Sequence, residues 1–199
     1  MASSMRIAGL ALAAGSSRRM GLNKLLLTLN GVSLLERSIQ TLKKLEVEDI
    51  LFVTGFEAAK IQPQISVSGY RYVQNENFES GMHSSIQAGV RALAPCDAIL
   101  IFLCDQPLLE PNEINRMIRG YRKSGMSLAA PVFEGQRGHP VLLSAKYREK
   151  ILSTDGGDRG CHYLFQENPD RVFSYETSNS GVLRDVDTPA GLKNLESEV

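Results

Sequence analysis

The chain has 199 residues, 43% of them hydrophobic, which suits one ordinary α/β domain with a sizeable core. Lysine plus arginine number 22 and so do aspartate plus glutamate, so no net charge is left to hold a polyanion, which disfavours a broad nucleic-acid-coating surface though not a local site. The three cysteines, Cys96, Cys104 and Cys161, cannot all pair and lack C-x-x-C spacing, while no apolar run approaches the roughly 20 residues of a bilayer span. The expectation is a soluble, cytoplasmic protein without a disulfide scaffold, a zinc ribbon or a membrane anchor.

Met5 marks the expected start region, with residues 1–4 a flexible extension. Ile7–Ala13 is the first predicted strand; the charges Arg18 and Arg19 follow it, the reverse of a secretory signal. Leu35, Ile39 and Leu42 fall at i, i+4 and i+7 and predict a helix with one buried stripe. Strands are predicted at Ile50–Thr54 and Tyr70–Gln74, then a helix through Met82, Ile86, Val90 and Leu93, then a strand at Ala98–Leu103. Glu110-Pro111 opens a helix that buries Ile114, Met117, Ile118 and Tyr121. Strands at Leu128–Val132, Pro140–Leu143 and Arg171–Tyr175 complete the series. Apolar, β-branched runs alternating with amphipathic stretches predict parallel strands joined by crossover helices. The expected fold is a three-layer α/β sandwich, a single domain over 1–199 with no repeat or linker. Glycines 135, 138, 156, 157 and 160 form two loops around the later strands, where binding segments commonly sit on a rigid sheet.

The segment Leu12-Ala13-Ala14-Gly15-Ser16-Ser17-Arg18-Arg19-Met20-Gly21-Leu22-Asn23-Lys24 runs from a buried strand into a small-residue, basic loop. It matches neither the common P-loop nor the dinucleotide fingerprint. The physics is similar, because small residues let backbone N–H groups approach phosphate oxygens that guanidinium and ammonium groups neutralise. Asp105 closes the apolar run Ile99–Cys104, at the carboxyl edge of a central strand, where open α/β sheets bind ligands. From the residues alone it is a ligand-binding carboxylate or a turn residue. Asp185 and Asp187 would face one side of a strand, or cap a helix starting at Thr188-Pro189. His83, His139 and His162 lack zinc-site spacing, and neither a Ser-His-Asp triad nor a cysteine nucleophile is evident.

The pattern L-A-A-G-x-S-x-R-M-G-x-x-K, present from Leu12 to Lys24, resembles the signature of the MobA/MocA-like nucleotidyltransferases of molybdenum cofactor maturation. Gly81–Gly89 resembles that family's G-M-x-x-S-[LI]-x-x-G segment and Cys104-Asp105-Gln106-Pro107 its C-D-Q-P. Arg137-Gly138-His139-Pro140-Val141 and Asp185-Val186-Asp187-Thr188-Pro189 also match, so the resemblance spans nearly the whole chain.

The resemblance implies a Rossmann-like, GT-A-like α/β/α nucleotidyltransferase fold with a mostly parallel central sheet. It implies attack by an acceptor phosphate on the α-phosphorus of a nucleoside triphosphate, with pyrophosphate leaving and Mg²⁺ on Asp105 and Asp187, Asp185 being the alternative second ligand. Arg19 would hold the β- and γ-phosphates and Lys24 the α-phosphate. Leu12, Ala13, Ala14, Gly15, Ser16, Ser17, Arg18, Gly81, Ser84 and Ser85 would bind the nucleotide. Arg137, Gly138, His139 and Asp158 would face a molybdopterin-type acceptor. Alanine rather than glycine at the third place of Leu12-Ala13-Ala14-Gly15 resembles the cytidylyltransferase branch and implies CTP. GTP, another phosphorylated acceptor, and a carrier that hands finished cofactor to a molybdenum enzyme are the alternatives.

Overall fold

The structure, a computed structural model, describes residues 5–15 and 21–196. The expected extension 1–4, and with it Ser16, Ser17, Arg18 and Arg19 of the basic loop, lie outside the described residues. In chain order the elements are β1 (Ile7–Ala13), β2 (Thr28–Leu29), β3 (Val32–Ser33), α1 (Leu34–Leu42), β4 (Asp49–Thr54), α2 (Ala58–Val67), β5 (Arg71–Gln74), α3 (Met82–Ala92) and β6 (Ala98–Leu103). They continue with α4 (Pro111–Ser124), β7 (Leu128–Phe133), β8 (Gln136–Arg137), β9 (Val141–Ser144), α5 (Arg148–Ser153), α6 (His162–Glu167), β10 (Val172–Glu176) and α7 (Pro189–Glu196). Every strand predicted from the sequence is present, within one residue at each end. The short strands β2, β3 and β8 were not predicted.

The main sheet has the order β10-β7-β9-β6-β1-β4-β5, with β8 attached to β7. Strands β5, β4, β1 and β6 are mutually parallel, and β9 runs antiparallel between β6 and β7. The expected mostly parallel sheet is therefore the one observed. Alternation along β1 feeds two cores: Ile7, Ala11 and Ala13 pack on one face, Ala8 and Leu10 on the other. The first core takes Leu35 and Ile39 of α1, Ile61 of α2, Ile114 and Ile118 of α4, and Leu195 of α7. The second takes Ile86 and Val90 of α3, Ile151 of α5 and Leu164 of α6. Helices thus cover both faces of a sheet whose central strands are buried on both sides, which gives three layers.

Local chemistry fixes the helix boundaries. Ser33 caps α1, its hydroxyl accepting from the Glu36 N–H at 3.1 Å. Pro111 stands in the first turn of α4, where its missing N–H is harmless, and Gly125 ends that helix in the left-handed region at φ 66°. Close approach of α3 to the sheet depends on Gly89, where a Cβ would lie 2.2 Å from Leu10 Cδ1. Among the described residues, no helix is long and apolar enough to cross a membrane.

Candidate active site

β1 and β6 end side by side, with Leu12 opposite Leu103. From β1 the chain builds outward to β4 and β5, then returns to place β6 on the other flank of β1. Such a reversal opens a crevice at the carboxyl ends of the strands. A cleft of about 440 Å³ lies there, bordered by Leu12, Ala14, Gly15, Lys24, Asp105 and Asp187. Its size is that of a small-molecule site.

Lys24 enters the cleft from below because the preceding residue is tied down. The Asn23 N–H donates to the Glu57 carboxylate at 3.0 Å, its amide donates to the Phe56 carbonyl at 2.9 Å, and its side-chain oxygen accepts from the Leu25 N–H at 3.1 Å. With Leu25 buried in the core, the single turn Lys24–Leu26 presents its lysine to the cleft. Lys24 is 9% exposed, so it is not the solvated lysine its sequence neighbourhood would equally allow. Its ammonium donates to Asp105 Oδ2 at 2.6 Å and to Asp187 Oδ1 at 2.9 Å.

Asp105 follows β6, held by the Cys104 N–H donating to the Leu12 carbonyl at 3.2 Å and by the Ser38 hydroxyl donating to the Cys104 carbonyl at 2.8 Å. Cys104 itself is buried in the core behind it, where burial raises its thiol pKa and keeps it inert. The Asp105 carbonyl in turn accepts from the Val186 N–H at 3.0 Å, which draws the 185–187 segment into the cleft. Val182 and Val186 are buried beneath this segment, and the Val182 carbonyl accepts from the His139 N–H and the Gln106 amide. Thr188 caps α7 by accepting from the Gly191 N–H at 3.1 Å.

Carboxylate oxygens of Asp105, Asp185 and Asp187 all lie within 4.8 Å of one another. Asp105 Oδ1 is buried and has no hydrogen-bond partner among the described residues. An orphaned oxygen within a set of hard oxygen donors fits a divalent cation such as Mg²⁺ or Mn²⁺ that completes its shell from phosphate and water. Burial raises the Asp185 pKa, the Asp105 and Asp187 charges add to this, and Lys24 opposes it. Burial works against the Lys24 ammonium, yet the charges and hydrogen bonds of Asp105 and Asp187 outweigh it and hold that pKa above the usual lysine value. Lys24 is accordingly charged throughout the neutral range.

The residues expected to bind nucleotide divide. Leu12, Ala14, Gly15, Gly81 and Ser85 line the cleft. Ala13 does not: its methyl is 2% exposed and packs in the core on the opposite face. The Ser84 hydroxyl serves the local turn, accepting from the Asn75 amide and donating within reach of the Asn77 and Gly81 carbonyls. The acceptor set divides too, since Asp158 lines the main cleft whereas Arg137, Gly138 and His139 line a neighbouring cavity of about 140 Å³. Met82 borders both spaces. It lies inside the Gly81–Ser85 segment expected at the nucleotide, whereas Phe78, Glu79 and Leu103 are cleft residues that sequence reasoning missed. Only the place of Leu103 at the end of a predicted strand, and of Phe78 and Glu79 just before Gly81, could have pointed to them.

Gly81 brings the two halves of the cleft together. Its φ is 98°, and a Cβ there would lie 2.6 Å from Asp158 Oδ1 and 2.7 Å from the Gly157 carbonyl carbon. The contact is fastened by buried His83, whose ring nitrogens lie 3.0 Å from the Gly160 and Ile151 carbonyl oxygens. His83 is thus a loop-fixing residue.

An open α/β sheet with a lysine and paired carboxylates beside a small-molecule-sized cleft at its reversal point defines a ligand-binding α/β domain. Residues 9–172 match the family model of the MobA-like NTP transferase domain. The chain belongs to that family. It is 31% identical over 188 residues, 92% of each chain, to the nicotine blue oxidoreductase of Paenarthrobacter nicotinovorans. It is 26% identical over 202 residues, 98% of each chain, to the molybdenum cofactor guanylyltransferase of Shewanella sp. (strain MR-4). Its fold is similar to that of a Mycobacterium tuberculosis H37Rv protein solved in complex with manganese, with a TM-score of 0.80, 21% identity and coverage of 98% and 100% of the two chains.

Proposed function

We propose that this chain transfers the cytidylyl group of CTP to the phosphate of a molybdopterin-type cofactor and releases pyrophosphate. The observation that carries the reading is the Lys24–Asp105–Asp187 cluster at the mouth of the β1/β6 crevice. An oxygen of the acceptor phosphate attacks the α-phosphorus, a new P–O bond forms, and the bond from the α-phosphorus to the oxygen bridging it to the β-phosphorus breaks. The nucleophile is already ionised, so no general base is required, and the chain's task is alignment and charge neutralisation.

In this reading the Gly15 backbone and Lys24 receive the α-phosphate region. Arg19 is assigned to the β- and γ-phosphates on the family resemblance alone, as are Ser16, Ser17 and Arg18 to the same loop. Asp105 and Asp187 would hold Mg²⁺, with Asp185 beside them. When bound, magnesium would supply neutralisation of phosphate charge and a fixed orientation of phosphate oxygens. Ala14, the third place of Leu12-Ala13-Ala14-Gly15, borders the cleft and supports CTP over GTP. The Arg137–His139 cavity, next to the cleft across Met82, suits the distal part of the acceptor, and Asp158 the junction between the substrates.

GTP is the second reading, favoured by the Shewanella relative's name. The test is transfer of α-labelled CMP or GMP to purified molybdenum cofactor with Mg²⁺ or Mn²⁺, scoring labelled dinucleotide and pyrophosphate together. Product from CTP is expected, and product from GTP alone would move the assignment to guanylyl transfer. A stable cofactor complex without pyrophosphate release would instead favour a carrier that serves a molybdenum enzyme. Because a relative is named an oxidoreductase, NADH and NADPH belong in the same assay. Their oxidation without pyrophosphate release would replace the transfer reading.

A further inference from the structure

We infer that Lys24 is also a built-in counter-ion that makes metal binding conditional on nucleotide. The inference rests on the assignment of Asp105 and Asp187 as the metal carboxylates. Lys24 Nζ lies 2.6 Å from Asp105 Oδ2 and 2.9 Å from Asp187 Oδ1, so a single ammonium holds one oxygen of each carboxylate. A divalent ion drawn to the paired carboxylates would compete with the ammonium for these two oxygens and, even seated on Asp105 Oδ1, would lie close to it. Like charges that close repel, although the half-exposed Asp187 side admits water that screens part of the repulsion.

The conflict resolves when a triphosphate arrives. Its α-phosphate oxygens offer Lys24 an alternative anionic partner, which frees the carboxylate oxygens at the moment a cation is delivered with the nucleotide. The turn that carries Lys24 permits this, because the anchoring is done by Asn23 and Leu25 and leaves the four-carbon lysine stem to swing. Metal and nucleotide therefore enter together, and the free protein binds metal weakly despite three carboxylates within 4.8 Å. A resident ammonium also keeps those carboxylates from trapping unrelated divalent ions.

The experiment is a Mn²⁺ titration followed by electron paramagnetic resonance on the full chain without nucleotide, comparing the wild type with Lys24→Met, Lys24→Gln and Asp105→Asn, each checked for a native circular dichroism spectrum. Both lysine variants should bind Mn²⁺ roughly tenfold or more tightly than the wild type, since a repulsive charge has gone. Asp105→Asn placed in the Lys24→Met background should abolish that gain. If the lysine variants bind no more tightly while Asp105→Asn still weakens binding, ammonium and metal coexist through Asp105 Oδ1 and the counter-ion role is overturned. If Asp105→Asn changes Mn²⁺ binding in neither background, the metal assignment itself fails, and the inference with it.

Discussion

The two oxygens of Asp105 stand in different circumstances: Oδ2 is held by Lys24 at 2.6 Å, and Oδ1 is buried without a partner among the described residues. Asp105→Asn preserves the shape of the side chain and removes the charge, so it separates chemistry from folding. Nucleotidyl transfer should fall by about two orders of magnitude or more, the scale of losing one electrostatic stabiliser, with an unchanged circular dichroism spectrum. Near-normal turnover in that variant would falsify the metal role. His139 carries a second residue-scale expectation. Burial lowers its pKa to about 4, against the opposing influence of the Asp105 charge and of a hydrogen bond to the Ile101 backbone. The unfolded chain takes up this proton near pH 6.5 and the folded chain only near pH 4, so the contribution is complete above the unfolded value and is lost as pH falls through that window. The loss amounts to at most about 3.5 kcal/mol at about 1.4 kcal/mol per unit. Urea midpoints at pH 7 and pH 4.5 should diverge more in the wild type than in His139→Gln, and equal divergence would remove His139 from the account.

Among the elements, the long strands were legible because each combines an apolar, β-branched run with a clear boundary, and α1, α3 and α4 because their buried stripes repeat at helical spacing. The hairpins were not. Two-residue strands such as β2, β3 and β8 have no room for alternation, and their only signals are turns. Asn30 and Gly31 have φ 52° and 77°, and Glu134 and Gly135 have φ 49° and 77°, the left-handed pair that two-residue hairpins favour. The Asn-Gly dipeptide was readable in principle, whereas Glu-Gly is a weak cue. Of the candidate site, Lys24 and the two aspartates were singled out by the family resemblance, since from the residues alone each could equally be a surface or turn residue, while the separation of the Arg137–His139 cavity from the main cleft depends on Met82 and the 156–160 loop, which no local pattern encodes. The glycine contacts make that packing testable. Gly89→Ala forces a methyl against Leu10 and should cost about 1–3 kcal/mol in overpacking, read as a lowered denaturation midpoint. Gly81→Ala should spare the midpoint more than the function, raising KM for nucleotide as the Asp158 loop is pushed from α3, and an unchanged KM would show the contact to be incidental.

At the scale of the whole molecule, the cleft is assembled from distant parts of the chain. The 180–187 segment leaves β10 at one edge of the sheet and crosses back to the centre, where the Val186 N–H bonds to the Asp105 carbonyl. Burial of Val182 and Val186 anchors this return. Val186→Ala removes two buried carbons and should cost about 2 kcal/mol, while also loosening the aim of Asp187. Thermal denaturation should register the first effect and a lowered kcat the second; a destabilised protein with full kcat would mean that Asp187 is placed by its other neighbours.

The separation of Lys24 from Asp187 by 163 positions has a consequence during synthesis. At about 5–20 residues per second, a ribosome needs roughly 8–30 s to travel from the first to the second. For that interval the emerging polypeptide carries the glycine-rich loop, the lysine and, later, Asp105, but not the carboxylate that completes the cluster. On the proposed reading, a fragment released before residue 187 would carry Lys24 and Asp105 without the carboxylate that completes their cluster. The three side chains can meet only once the last of them has been synthesised.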